Sequence, residues 1–192
     1  MSFRRVIARA SLAIAIASVC VPATYASVAA NEDIALLEAV KRADHSTTQA
    51  LLARGVDVNA SAPDGTTALH WAAHHGQGQM VTRLIGAGAD VRATNRYGIE
   101  PIWLAAQNGH AVIVEVLLGA GASPNTVRGN SGETILMIAA RGGHVDVLQQ
   151  LVSFDADVTR KEHVRGQTAL MWATAEAHRD AATFLLDAGA EL

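Results

Sequence analysis

Residues 65–73 of the chain read GTTALHWAA, and related stretches recur three times further along the sequence. They are GIEPIWLAA at residues 98–106, GETILMIAA at 132–140 and GQTALMWAT at 166–174, which begin 33, 34 and 34 residues after the preceding copy. A second pattern, GVDVN at residues 55–59, returns in altered form from residues 88, 121, 155 and 189. A fixed period in this range is the signature of a repeat array whose units stack on their neighbours.

Each unit reads as two helices joined by a tight turn. Threonines suit the N-cap of the first helix in three units, and Pro101 suits its first turn in a fourth; the threonines are Thr67, Thr134 and Thr168. Paired small residues such as Ala72-Ala73 let neighbouring helices stack closely, and a glycine then ends the helix at Gly76, Gly109 and Gly143. The second helix is aliphatic at helical spacing, as in Met80, Val81, Leu84 and Ile85.

These units resemble the ankyrin repeat, whose motif runs Gly-x-Thr-Pro-Leu-His, Ala-Ala, Gly-His, an aliphatic helix and Gly-Ala-Asp-Val-Asn. The closest copies here are residues 65–70, 105–110 and 88–91. The resemblance implies an all-α solenoid of five helix-turn-helix units with short hairpin fingers, at about residues 31–63, 64–96, 97–130, 131–164 and 165–192. The sequence departs from the motif at Glu100 for Thr, at Ile135 and Ala169 for Pro, at Trp103, Met137 and Met171 for His, and at Ala177 for Gly.

The two ends of the array differ. The first unit lacks the threonine–histidine start, and its Glu38, Lys41 and Arg42 can face water, which is typical of a terminal cap. The last unit stops at Leu192 without a polar closing repeat. We therefore expect either that the sequence is part of a longer protein or that this end is covered by something else.

Residues 1–26 read as a secretory signal peptide. Arg4, Arg5 and Arg9 form a basic start, an apolar stretch runs from Leu12 to about Val21, and small residues follow. Cleavage is predicted after Ala26, with Ala29 or Ala30 as alternatives, and export would be to a bacterial periplasm or the exterior. The rival interpretations are an uncleaved membrane anchor, which is short for a span, and lipidation at Cys20.

Composition limits the function further. The 192 residues carry 15 basic and 18 acidic side chains, and removal of residues 1–26 leaves 12 basic and 18 acidic. This balance argues against nucleic acid as the main partner. The chain's one cysteine would leave with the signal, which suits an oxidising compartment.

We find no motif that predicts catalysis or cofactor binding. The sequence contains no P-loop, no nucleophile elbow and no zinc-protease motif, and its Gly-Ala-Gly segments follow helices rather than strands. His70 and His74 lie four residues apart and could share a helix face to chelate a metal. The resemblance instead implies that His70 bonds within the turn and that His110, His144 and His178 are structural.

In ankyrin arrays the fingers and first helices line a concave groove that binds partner proteins. By match to the family's variable positions, the groove residues are Pro63, Asp64, Thr66, His74, His75, Arg96, Tyr97, Ile99, Gln107, Asn108, Asn130, Ser131, Glu133, Arg141, Val164, Arg165, Gln167 and Glu176. Trp103 stands at the motif histidine and reads either as an aromatic binding residue or as core, while Trp71 and Trp172 read as core. We predict that Arg96, Tyr97 and Trp103 form the centre of binding.

The charged run from residue 160 to 165 reads as a solvated loop or, alternatively, as a contact for an anionic group. The leading hypothesis is an exported, non-enzymatic module that binds an unidentified protein. A metal- or ligand-handling accessory of a periplasmic enzyme is the second hypothesis, and the binding part of a larger exported protein is the third.

Overall fold

The computed structural model describes residues 34–191, and these residues form five pairs of helices. The signal-peptide prediction and Cys20 lie outside this range. The first pair is α1 (residues 34–41) and α2 (His45–Ala53). The other pairs are α3 (Ala68–His74) with α4 (Gly78–Gly86), α5 (Pro101–Gln107) with α6 (Ala111–Gly119), α7 (Ile135–Arg141) with α8 (Val145–Ser153), and α9 (Ala169–Ala175) with α10 (Arg179–Asp187). The predicted all-α solenoid is confirmed.

The pairs stack in two layers. The first helices contact one another in the order α3, α5, α7, α9, and the second helices in the order α4, α6, α8, α10. The small pairs of the first helices, such as Ala72-Ala73 and Ala105-Ala106, are fully buried, because only a methyl side chain fits between helices this close. Leu84, Leu117 and Leu148 fill the space between the layers. Each contributes about 1.5–3 kcal/mol by leaving water.

A finger connects successive pairs. Between α6 and α7 it contains a short antiparallel ladder of β1 (Val127–Arg128) and β2 (Glu133–Thr134), joined by a 3₁₀ turn at Gly129–Ser131. The first helix then begins at a capping residue. The Oγ1 atoms of Thr134 and Thr168 accept hydrogen bonds from Met137 N at 3.2 Å and Met171 N at 3.3 Å, as predicted.

A ladder of histidines joins the ends of the first helices. His178 Nε2 lies 3.0 Å from the carbonyl oxygen of Arg141 in the preceding unit, and its ring covers Gly143. The same pair of contacts recurs one and two units earlier, with His144 on Gln107 O at 3.1 Å and His110 on His74 O at 3.3 Å. The predicted structural role of these histidines is confirmed.

Glycine is required at the end of these first helices for two reasons. Gly143 has a φ of +68°, which lies in the left-handed region, and a Cβ there would lie 2.6 Å from the His178 ring. Ala177 holds the same position in the fifth unit with a φ of +57°. In the described part of the chain no further unit follows to place a ring over it.

Candidate partner-binding groove

The groove is the surface between the fingers and the first helices. Acidic or amide side chains hold the finger turns by accepting backbone N–H bonds: Asp64 from Thr66 at 2.9 Å, and Asn95 from Tyr97 at 3.0 Å. The carboxylate of Glu162 is buried and accepts from the backbone of three residues, Val164, Arg165 and Gln167. These bonds lower the pKa of both Asp64 and Glu162, because they favour the charged carboxylate.

One end of the groove is built around Trp71. A pocket of about 200 Å³ opens beside its half-buried ring, lined by Asp64, Thr66, His70, Trp71, His74, Asn95 and Leu104. The His75 ring stacks on the indole at 5.7 Å between centroids, and Lys41 Nζ lies 4.8 Å from the indole centroid. Lys41 also pairs with Glu38 at 2.8 Å. This end therefore presents an aromatic surface whose covering ammonium is already neutralised.

The other end is built around Trp172. The Arg141 guanidinium lies over its half-buried ring at 5.2 Å. Two adjoining pockets of about 210 and 250 Å³ share Arg165, Gln167 and Trp172 in their walls. We call this surface the Trp172 recess; its other lining residues are Glu133, Arg141, Glu162, Val164, Ala175 and Glu176.

Both groove tryptophans carry an unused donor. The indole N–H of Trp71 and that of Trp172 are buried, and neither finds an acceptor among the described residues. An unsatisfied buried donor costs about 1–3 kcal/mol.

The finger tips add exposed apolar surface. Tyr97 is 54% exposed and Val164 is 75% exposed, although both are large hydrophobic side chains. Arg96 lies over the Tyr97 ring at 4.8 Å and donates to its hydroxyl oxygen at 2.6 Å. Tyrosine and arginine are both enriched at protein interfaces.

The positions of the tryptophans correct one prediction and refine another. Trp103 is 1% exposed and belongs to the core, so the prediction that it binds a partner beside Arg96 and Tyr97 is wrong. Trp103 stands at the motif position that His70 occupies in the preceding unit, and side chains at this position are buried between stacked helices. The prediction that Trp71 and Trp172 belong to the core is confirmed in part: each ring is half-buried and packs against the core, while its remaining surface lines the groove. The sequence signal for this was available: both follow the motif histidine position directly.

The geometry contradicts the alternative interpretation of His70 and His74 as a metal site, and it confirms the turn contact that the ankyrin resemblance implies for His70. His70 is fully buried, with Nδ1 3.2 Å from Thr67 N and 2.8 Å from Thr67 Oγ1, and with Nε2 2.9 Å from Ile99 O. Both ring nitrogens are thus engaged, and burial lowers the pKa of His70. His74 Nδ1 lies 2.9 Å from the Asn108 amide nitrogen. Within residues 34–191 no group of three His, Cys, Asp or Glu side chains is arranged to hold a metal.

A family model described as ankyrin repeats (3 copies) matches residues 36–128 and, in a second match, residues 102–192. The chain belongs to the ankyrin-repeat family. Ankyrin repeats are generally protein–protein interaction modules. No curated protein matches this ankyrin chain significantly.

Most residues that the ankyrin motif assigns to the groove are accessible to a partner. Exposed side chains are Pro63, His74, His75, Arg96, Tyr97, Gln107, Asn108, Asn130, Arg141, Val164, Arg165 and Glu176. Partly buried ones are Asp64, Ile99, Ser131, Glu133 and Gln167. Thr66 is only 9% exposed, and it reaches the groove as part of the wall of the Trp71 pocket. No helix among residues 34–191 is long and apolar enough to cross a membrane.

Proposed function

We propose that this ankyrin-repeat chain is an exported, non-enzymatic module that binds one partner protein along the groove. The proposal rests mainly on two half-buried tryptophans, Trp71 and Trp172. Each forms part of a pocket wall, and each has a cation over its ring. Tryptophan, tyrosine and arginine dominate the binding energy of protein interfaces. Tyr97 and Arg96 lie on a finger between these two ends.

Four ionisable groups of the groove, Asp64, His70, His74 and Glu162, are engaged in holding the fold, which supports binding rather than catalysis. Asp64 and Glu162 accept the backbone hydrogen bonds that close two finger turns. His70 contacts Thr67 at the start of its own helix through Nδ1 and the carbonyl oxygen of Ile99 in the next unit through Nε2. A catalytic base needs a free site within hydrogen-bond reach of a substrate atom. The described titratable side chains of the Trp71 pocket, Asp64, His70 and His74, already bond to backbone or side-chain groups of the protein.

The test is capture of a partner from the compartment in which the protein resides, read by mass spectrometry. The groove variant H75A/Y97A/R141A removes three exposed side chains, so that the fold is retained. The matched control V112A/E115A truncates two exposed residues of α6, on the second-helix layer. We expect one protein that the wild type and the α6 control retain and the groove variant loses. Equal capture by all three would refute a groove-binding function.

Export is the second part of the proposal, and it rests on the basic, apolar and small-residue order of residues 1–26. Intact-mass measurement of the protein from fractionated cells tests it. The expected result is a chain beginning at residue 27, or at 30 or 31, in the exported fraction. A chain that retains Met1 in the cytoplasmic fraction would contradict it. The same mass shows whether the natural protein extends beyond Leu192.

A further inference from the structure

The Trp172 recess differs from the rest of the groove in its charge. Arg141 and Arg165 are exposed and line the same pocket as Trp172, and among the described residues no carboxylate lies within 4.0 Å of either guanidinium. The recess thus holds two cations without an ion-pair contact, although Arg165 lies near enough to Glu162 to help lower the pKa of that carboxyl.

The acidic side chains nearby are largely committed elsewhere. The Glu162 carboxylate accepts three backbone N–H bonds and serves the finger turn. Glu133 pairs with Arg128 at 3.8 Å. Glu176 also lines the recess, and its negative charge would repel a ligand that carried several negative charges.

We propose that the Trp172 recess binds a carboxylate side chain, Asp or Glu, from an extended segment of the partner protein, held between Arg141 and Arg165 with a neighbouring apolar residue against Trp172. This inference rests on the proposed function and names the chemistry that one end of the groove recognises. Guanidinium–carboxylate bonds are short and often bidentate, which gives both strength and orientation.

The Trp71 end of the groove offers a different surface. Its pocket is lined by Asp64, and the cation above the indole, Lys41, is paired with Glu38. A carboxylate in that pocket would face Asp64, and no lysine or arginine lines the pocket walls. The groove therefore has a direction, since an acidic residue of the partner belongs at α7–α9 and a neutral or basic one at α3–α5.

The experiment is selection of random twelve-residue peptides displayed on phage against the full chain at about 150 mM salt, which screens distant charges. Three proteins are compared: wild type, R141Q/R165Q, and the control R160Q/K161Q. The control also removes two positive charges, from the finger that carries Arg165 but outside the recess walls. We expect the wild type and the control to select peptides enriched in Asp or Glu next to an apolar residue. The recess variant should lose that enrichment.

A selected peptide is then synthesised with its acidic residue and with the matching amide. The acidic peptide should bind R141Q/R165Q at least tenfold more weakly than wild type and bind the control within twofold, while the amide peptide should not distinguish the three. Wild-type selection without acidic enrichment, or no selection at all, would overturn the inference. If neutral peptides are selected and depend on His75 and Tyr97, the inference fails while groove binding stands. If peptides are independent of these residues as well, both fail.

Discussion

The turn after α9, the first helix of the fifth unit, holds a residue in a strained backbone conformation, and the equivalent turns of the earlier units hold glycine instead. Ala177 has a φ of +57° where the second, third and fourth units have Gly76, Gly109 and Gly143 at +70°, +74° and +68°. A left-handed conformation costs a non-glycine residue about 1–2 kcal/mol. Glycine removes this cost but makes the unfolded chain more flexible, at about 0.4–1 kcal/mol. We therefore expect A177G to stabilise the protein by about 0.5–1 kcal/mol.

The reciprocal substitution, G143A, should have the opposite effect. It adds the same left-handed strain and places a Cβ 2.6 Å from the His178 ring, which must move away from Arg141 O. A lost hydrogen bond of this kind costs about 0.5–1.5 kcal/mol, so the sum, after the unfolded-state gain, is a destabilisation of about 2 kcal/mol. As the control, G86A lies in α4, where a Cβ meets no described atom within 4 Å, and it should be neutral or slightly stabilising.

The assay is urea unfolding of the full chain, monitored by far-UV circular dichroism. The slope of the unfolding free energy against urea concentration should be the same in all variants, which shows that the substitutions change stability and not the unfolding transition itself. Because stability in a repeat array is a sum over units and their interfaces, a change in the turn between α9 and α10, or in the α7–α8 turn that His178 covers, shifts the transition. A destabilising A177G, or a G143A that unfolds like wild type, would refute the argument from backbone strain and ring packing.

Three further predictions concern single side chains. Burial raises the pKa of Glu100, because the charged carboxylate loses water on folding, so E100Q should raise the free energy of unfolding at pH 7. The difference from wild type should shrink as the pH falls and Glu100 becomes protonated, and urea titrations at pH 7 and at lower pH measure this. Burial lowers the pKa of His70 below its unfolded value, so its contribution to stability is complete above about pH 6.5 and declines as the pH falls; H70Q should flatten that decline, which thermal melts across pH 5–8 would show. In single-tryptophan variants, acrylamide should quench Trp71 and Trp172 readily and Trp103 poorly, and an accessible Trp103 would contradict its place in the core.

The fold could be predicted from the sequence because its determinants are local and periodic. The small pairs, the glycines with positive φ and the Gly-His histidines each recur at one fixed position, so that four imperfect copies reinforce one another. The histidine ladder followed from the same pattern, and the structure supplies its acceptors, such as Arg141 O for His178.

The groove chemistry was predictable only in outline. Whether a tryptophan faces a neighbouring helix or the groove depends on one position, about 100° round a helix, and the hydrophobicity of Trp71 and Trp103 is the same. The free charge of Arg141 and Arg165 could not be read from the sequence either, since it depends on where the carboxylates of Glu133 and Glu162 point across the fingers. Those contacts are short in sequence, from Glu133 to Arg128 and from Glu162 to Arg165, but their geometry is set by how each finger folds.

The measurement that tests the central claim most directly is photocrosslinking in the native compartment. A photoreactive amino acid is placed in turn at three exposed groove positions, His75, Tyr97 and Val164, and at two exposed positions away from the groove, Val112 and Phe154. The account predicts that the three groove positions crosslink to the same protein and that the other two do not. Crosslinks from Val112 or Phe154, with none from the groove, would contradict it.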